Sequence, residues 1–324
     1  MRIDLPTACE MLRSADNIVI LTHRKPDGDT LGAGFALLFA LQSMGKRARL
    51  ECPDPLPKKY QYLYKGYNQE KFDAEFVVAV DIAGMQLLAG LADYYQGKID
   101  LCIDHHGSNE LYAKHSLVDS DSPAAAQIMH HVIKGLGVTP DKTIANAIYT
   151  GIITDTGAFR YADVTPETHR IAADLIEYGA DFSEINRLVF ETRSRGRIAV
   201  NRLLYDSLEY YFDGLCACAA LPDDIKERFL VEEDDLEGIS SLPRTVEGVM
   251  AGITLFDNGD GSFRASLRTF SPVDASAVCA VFGGGGHKNA AGCTVLGGLE
   301  DVRGRVLASV KSELERNGLW KESC

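Results

Sequence analysis

An alternation constrains this sequence more than any other feature. Short apolar runs at Asn17 to Thr22, Arg47 to Cys52, Glu75 to Val80 and Ile99 to Ile103 are separated by stretches of helical spacing, such as Thr30 to Met44 and the shorter Met85 to Leu91. Runs this short and this rich in Ile and Val suit strands buried on both faces. Strands that take turns with helices suit a mostly parallel sheet covered by helices. From about Ser122 to Tyr178 the pattern is helical, with Pro123, Pro140 and Pro166 near three helix starts, where a missing N–H is tolerated. After Asp181 the character changes. Arg193 to Tyr211 reads as a connecting helix whose arginines (Arg193, Arg195, Arg197, Arg202) form either a solvated face or a basic wall towards a cleft.

Beyond Leu215 strands return. Val246 to Phe256 and Ser262 to Thr269 flank the turn Asp257-Asn258-Gly259-Asp260-Gly261. A helix over 274–281, a glycine run and a strand from Gly292 to Leu296 follow. At roughly 150 residues per domain the 324-residue chain holds about two domains. The expected architecture is α/β throughout. Residues 1–185 form a catalytic domain with a mostly parallel sheet flanked by helices, 186–211 a linker helix, and 212–324 a smaller α/β domain with a mixed sheet. The catalytic cleft is expected between the two domains.

Composition narrows the function. With 46% hydrophobic and 24% charged residues the chain is globular rather than disordered or collagen-like. Lys and Arg number 33 against 46 Asp and Glu, a net charge of −13, which disfavours non-specific binding to long duplex nucleic acid but leaves room for a local phosphate site. Cys9, Cys52, Cys102, Cys216, Cys218, Cys279, Cys293 and Cys324 form no CxxC pair and mostly lie in apolar runs, so reduced, buried thiols in a cytoplasmic protein are expected. The N-terminus reads as an amphipathic start rather than a signal peptide, and no window approaches ~18 uninterrupted apolar residues, so no membrane span is expected.

The chemistry lies at the strand ends. The first run leads into His23-Arg24-Lys25-Pro26-Asp27-Gly28-Asp29, the third ends in Asp81, and the fourth ends in Asp104-His105-His106. A helix over 141–157 closes on Thr154-Asp155-Thr156-Gly157. In a parallel sheet the carboxyl ends of the strands share one rim, where ligands bind. Asp27, Asp29, Asp81 and Asp155 crowded there would repel one another and resist ionisation. Two divalent cations bring +4 against that −4, with neutral imidazoles from His23 and His105 filling further positions. Oxygen-rich ligation with some imidazole suits Mn²⁺, Mg²⁺, Fe²⁺ or Co²⁺ better than a structural zinc. His130 and His131, mid-helix in an apolar pattern, read as packing or surface residues, and His115 and His169 as surface or capping residues. Asn146 reads as a loop hydrogen-bonder, and Arg160 as a candidate phosphate contact.

At these residues the chain resembles the DHH phosphoesterase superfamily, and its second half resembles the DHHA1 substrate-binding domain. The marks of the second half are Ser266-Leu267-Arg268 and the run Phe282-Gly283-Gly284-Gly285-Gly286-His287-Lys288-Asn289-Ala290-Ala291-Gly292. Relatives of this kind are bacterial enzymes that hydrolyse short oligoribonucleotides and 3′-phosphoadenosine 5′-phosphate (pAp). The resemblance implies two Mn²⁺ ions, with Mg²⁺ or Co²⁺ as substitutes. His23 and Asp27 would hold one, Asp29, His105 and Asp155 the other, and Asp81 would bridge them. His106 would face the scissile phosphate and Asp104 would orient a ligand histidine. Two metals about 3.5–4 Å apart would ready a hydroxide for in-line attack. Arg268, Gly284, Gly285, Gly286, His287 and Lys288 would bind substrate phosphate, and a homodimer is compatible with the family. One departure is that Asp81 is followed by Ile82-Ala83, where relatives often carry a small hydroxyl or thiol residue.

The other readings are a stand-alone cyclic-di-AMP or linear dinucleotide phosphodiesterase, a RecJ-like single-strand exonuclease, a manganese pyrophosphatase and a non-catalytic nucleotide-binding module. The Gly283–Gly286 block with His287 speaks against the pyrophosphatase. Length and charge speak against the exonuclease, and the full ligand set speaks against the module.

Overall fold

The computed structural model describes residues 1–236 and 238–321, and the chain divides into two units, Met1–Thr192 and Arg193 onward. In the first unit, α1 (Leu5–Ser14), β1 (Ile18–Leu21), α2 (Gly28–Ser43), β2 (Ala48–Glu51), the single turn α3 (Gln61–Tyr64), β3 (Phe76–Val80), the single turn α4 (Ala92–Tyr95), β4 (Leu101–Asp104) and β5 (His115–Val118) lead to the helices α5 (Ala125–Gly135), α6 (Lys142–Asp155), α7 (Pro166–Glu177) and α8 (Phe182–Asn186). The sheet order is β2-β1-β3-β4-β5 and every pairing is parallel. The alternation of β1 and β3 divides the core. Ile18, Ile20, Val78 and Val80 pack under α2, α5 and α6. Val19, Leu21, Val77 and Ala79 pack on the other face with Leu88 and Tyr95. Met85–Leu91 is a 3₁₀ segment rather than an α-helix. The edge strand β5, which the apolar-run pattern did not predict, is short and begins with a histidine.

The expected linker 186–211 is not one connecting helix. Arg187–Glu191 is a π turn that ends the first unit. α9 (Arg195–Asp206) follows in the second unit, and β6 begins at Glu209. The reason is apolar: Val200 and Leu204 of α9 are buried against Ala219, Leu221 and Ile239. Arg197 donates to the carbonyl of Asp235 and Arg202 pairs with Asp206, so these two arginines serve their own unit's surface.

The second unit holds β6 (Glu209–Tyr211), β7 (Cys216–Leu221), α10 (Ile225–Phe229), β8 (Ala251–Asp257), β9 (Ser262–Thr269), α11 (Ala275–Ala280), β10 (Gly285–His287), β11 (Ala290–Leu296) and α12 (Leu299–Arg316). Its sheet runs β10-β11-β9-β8-β7-β6 and is mixed, with only β7 and β8 parallel. Residues 246–250 precede β8 as turn rather than strand. The glycine run is not a free loop either: Gly285, Gly286 and His287 form the edge strand of a hairpin with β11. Cys324 lies outside the described residues. The other cysteines are free thiols, all buried except the half-buried Cys52. No described helix is long and apolar enough to cross a membrane.

Candidate metal centre

The site begins where β1, β3 and β4 end. Past β1 the chain reaches His23 and turns into α2, whose N-cap is Asp27: one oxygen of its carboxylate accepts from the amides of Asp29 (3.0 Å) and Thr30 (3.1 Å). Asp29 therefore sits in the first helical turn, only 1% exposed. Its two oxygens accept from the amides of Ala125 (2.6 Å) and Ala126 (2.9 Å), so a carboxylate from one helix closes the N-terminus of another, α5, where its charge is favoured. Gly151 of α6 makes this possible, since a Cβ there would stand 2.8 Å from Oδ1 of Asp29 and 2.4 Å from the Ala126 Cβ.

Asp81 follows β3 in the left-handed region at φ 59, a conformation costing on the order of 1–2 kcal/mol for a side chain with a Cβ. It is held there by a hydrogen bond from its own amide to Ile103 (2.9 Å), while Thr30 Oγ1 donates to the carbonyl of Val80 (3.0 Å). The carboxylate is 3% exposed and its Oδ1 has no hydrogen-bond partner among the described residues. Asp104 closes β4 and is fully buried. Its Oδ1 faces the amide of His105 (2.8 Å) and Nδ1 of His106 (2.8 Å), and its Oδ2 accepts from Nδ2 of Asn109 (2.6 Å).

The remaining donors converge. His23 Nε2 lies 3.6 Å from both Asp27 Oδ1 and Asp81 Oδ2. His105 Nε2 lies 3.3 Å from Asp155 Oδ2, 3.6 Å from Asp81 Oδ1 and 3.9 Å from Asp29 Oδ2. Two three-donor groups result, His23–Asp27–Asp81 and Asp29–His105–Asp155, each with donor atoms within 4.8 Å of one another. A third group joins Asp81 to His105 and His106. Both ligand-type histidines are oriented from behind. Nδ1 of His23 is 2.8 Å from the carbonyl of Arg24, and Nδ1 of His105 is 3.2 Å from that of Ser122. Nδ1 therefore carries a proton, and Nε2 is the atom that faces the carboxylates.

Electrostatics describe a cluster awaiting positive charge. Burial, together with the charges of Asp81, Asp155 and Asp27, holds the Asp29 carboxyl well above the usual carboxylate range, against the pull of the Ala126 amide. Asp155 is raised to about 6 by burial and by Asp81 and Asp27, opposed by His105. Burial opposes a charge on His23, but Asp27 and Asp81 together raise it to about 11. The hydrogen bond to Asp104 raises His106 to about 9 against burial. Asp104 itself stays below the usual range because His106 and Asn109 bond its charged form more strongly than burial opposes it. Four carboxylates with two imidazoles form the oxygen-rich donor set that hard divalent cations prefer, and the unpartnered Asp81 oxygen is the group such a cation would satisfy.

Not every singled-out residue joins this cluster. Arg160 is exposed and its Nε turns back to the carbonyl of Gly157. His130 is buried, His131 pairs with Glu167, and His169 stacks on Phe159. His115 Nδ1 sits 3.3 Å from the carbonyl of Asp100, and Asn146 accepts from the amide of Asp181. Sequence reasoning missed Asn109 and Thr30. The first had a readable signal, an amide three residues past His106 in a turn. Thr30, which looks like any early helical threonine, had none. In the second unit Arg268 is half-buried on β9, its Nη1 donating to the carbonyl of Leu267. Gly284 packs so closely under β11 that a Cβ would lie 2.3 Å from the carbonyl of Gly292. Gly285, Gly286, His287 and Lys288 are exposed along the adjoining hairpin.

Comparison with known proteins shows the family of the chain. The DHH family, N-terminal domain, matches residues 17–152. The chain is 35% identical over 318 residues to the bifunctional oligoribonuclease and PAP phosphatase NrnA of Thermus thermophilus, covering 95% of this chain and 94% of that protein. It is 23% identical over 302 residues to the protein of the same name from Bacillus subtilis, covering 92% and 94%. Among solved structures, an exopolyphosphatase-related protein from Bacteroides fragilis superposes with a TM-score of 0.84 at 23% identity over 95% of both chains. The strand-end cluster and these likenesses make the chain a member of the DHH family of phosphoesterases and a phosphoric ester hydrolase.

Proposed function

We propose that the protein hydrolyses short 5′-phosphorylated oligoribonucleotides and pAp to mononucleotides, with two divalent cations, Mn²⁺ foremost. The observation that carries this reading is the pair of three-donor groups on one sheet rim, one of them containing the buried, unpartnered Asp81. The names of the relatives point to the substrates. In this reading His23 and Asp27 would hold one cation, Asp29, His105 and Asp155 the other, and Asp81 would serve as a ligand common to the two. When bound, such ions supply Lewis-acid polarisation of phosphoryl oxygens and a lowered pKa for water.

The chain's own contributions follow from its contacts. Arg24 and Ser122 fix the imidazole tautomers through their carbonyls. Asp29 ties the ligand cluster to the start of α5, which keeps the rim rigid. His106, held through Nδ1 by Asp104, would act from Nε2 on a non-bridging phosphoryl oxygen or on the departing 3′-oxygen. With −4 matched by +4, an anionic substrate needs further positive groups. On the second unit the phosphate-binding groups of this reading are Arg268, His287 and Lys288 with the hairpin residues Gly285 and Gly286, while Gly284 shapes the turn, its amide being donated to the carbonyl of Cys279 (3.0 Å).

The test is a side-by-side rate panel in Mn²⁺ and in chelator. It contains pAp, di- to pentaribonucleotides, linear and cyclic di-AMP, pyrophosphate and a long single strand. Fastest turnover of pAp and the shortest ribonucleotides is expected, abolished by chelation. A fastest rate on pyrophosphate, on cyclic di-AMP or on the long strand overturns the reading.

A further inference from the structure

Strand β9 turns Phe263, Ala265 and Leu267 into the core of the second unit and leaves Arg264, Ser266 and Arg268 on its other face. On the neighbouring strand β11 these three lie opposite Thr294, Gly292 and Ala290, all small, so the β9 side chains line an open trough. The trough is a cavity of about 690 Å³, to which Phe282, Gly284 and His287 also contribute, and no carboxylate lines it. The ion pairs of the described residues fall elsewhere, on neither Arg264 nor Arg268. In a chain where acidic residues outnumber basic ones by 46 to 33, two arginines left without acidic partners in one cavity are an anion site in waiting.

Each group is held in place without being used up. Arg264 lies over the Phe256 ring, 4.1 Å from its centroid, which braces the guanidinium on the sheet and leaves its N–H groups available. Ser266 is only 8% exposed, lines the cavity, and makes no side-chain hydrogen bond among the described residues. Burial and the charge of Arg244 both disfavour the charge on Arg268, a cost that a bound anion would relieve.

The spacing then selects the ligand. Two residues of an extended strand span six backbone bonds and about 7 Å of rise. A polynucleotide also repeats its phosphates every six backbone bonds. Arg268, Ser266 and Arg264 thus recur at one nucleotide per step, and Arg264 stands about 14 Å, two phosphodiester steps, along the strand from Arg268.

We propose that Arg264 is a length-reading residue, which takes the phosphate of a short oligoribonucleotide that lies two nucleotide steps from the one at Arg268. It therefore favours trinucleotides and longer chains over a single nucleoside bisphosphate. The inference deepens the substrate reading given above and rests on it.

The experiment compares wild type, Arg264→Gln and Arg264→Lys. Binding of pAp and of a 5′-phosphorylated triribonucleotide is measured calorimetrically in EDTA, and turnover of the same two compounds is measured in Mn²⁺. Arg264→Gln is expected to lower the trinucleotide-to-pAp affinity ratio about tenfold, with a matching change in the KM ratio. Arg264→Lys, which keeps the charge, is expected to recover most of it. Equal weakening towards both ligands, or an unchanged ratio, overturns the proposal. If the ratio falls in EDTA while wild type turns over neither compound, the length-reading role stands and it is the substrate reading that fails.

Discussion

Nδ1 of His106 lies 2.8 Å from Oδ1 of Asp104, a fully buried carboxylate that serves the histidine rather than the acidic cluster. Asn109 fixes the opposite oxygen of Asp104 at 2.6 Å. Replacing Asn109 with Leu leaves that oxygen buried without its donor, a cost on the order of 1–3 kcal/mol that is relieved by turning the carboxylate and with it the imidazole. The expected result is a kcat about tenfold lower on pAp with KM changed less than threefold, and a folded protein by thermal melt. A rise in KM with kcat intact would show that Asn109 shapes binding instead.

Gly151 is required by contact rather than by backbone conformation. A Cβ there would press on the Ala126 Cβ at 2.4 Å and on Asp29 Oδ1 at 2.8 Å, and neither can move without opening the junction of α5 and α6. Gly151→Ala is expected to destabilise the first unit by about 1–3 kcal/mol and to weaken metal binding. Gly304 provides the contrast: it is exposed, mid-helix in α12, with nothing within 4 Å of a Cβ. Gly304→Ala should stabilise by roughly 0.5–1 kcal/mol. Urea titrations of both variants check the pair.

Much of the first unit was legible because its strands are buried on both faces. Ile18–Leu21 and Phe76–Val80 announce themselves as unbroken apolar runs, and the acidic and imidazole residues follow them directly. β5 was not legible: His115–Val118 is a four-residue edge strand whose composition does not differ from a loop. The motif order brought His23, Asp27, Asp29, Asp81, His105 and Asp155 together on paper. Local pattern does not reveal that Asp29 also closes α5, nearly a hundred residues away, because that bond depends on two backbone amides. The glycine run misled for a related reason. Gly285–His287 has little strand propensity of its own and becomes a strand through register with Ala290–Gly292.

His130 gives the protein an acid-sensitive point away from the cluster. It is 5% exposed, its Nδ1 has no hydrogen-bond partner among the described residues, and burial, aided by the neighbouring His131, lowers it from 6.5 to about 4. The folded state therefore keeps His130 neutral where the unfolded chain is protonated. Its contribution to stability is intact above pH ~6.5 and is lost as pH falls towards 4, on the order of 3 kcal/mol in all. Asp29 and Asp155, raised in the folded state, act in the opposite sense, so the measurement is a difference. Between pH 7.5 and pH 5 the unfolding free energy of wild type should fall by about 2 kcal/mol relative to that of His130→Leu. Parallel curves would remove the buried neutral histidine from the account.

Asp81 belongs to one three-donor group with His23 and Asp27 and to another with His105 and His106, and its oxygen without a hydrogen-bond partner among the described residues sets a thermodynamic expectation. Without cations the folded state holds four mutually repelling carboxylates, so binding of cations should be visible as stability. At a hundredfold excess over Kd, one site contributes about 2.7 kcal/mol. For a unit of this size that is a rise in Tm of very roughly 5–10 °C. Asp81→Asn removes one charge and a donor of the His23–Asp27–Asp81 group. The variant should melt no lower than wild type in EDTA, lose the Mn²⁺-dependent rise, and lose kcat by well over the roughly 10–100-fold that an outer partner costs. Melting curves with EDTA, Mn²⁺ and Mg²⁺ read all three consequences. A full Mn²⁺ response in Asp81→Asn would mean that the cations bind elsewhere.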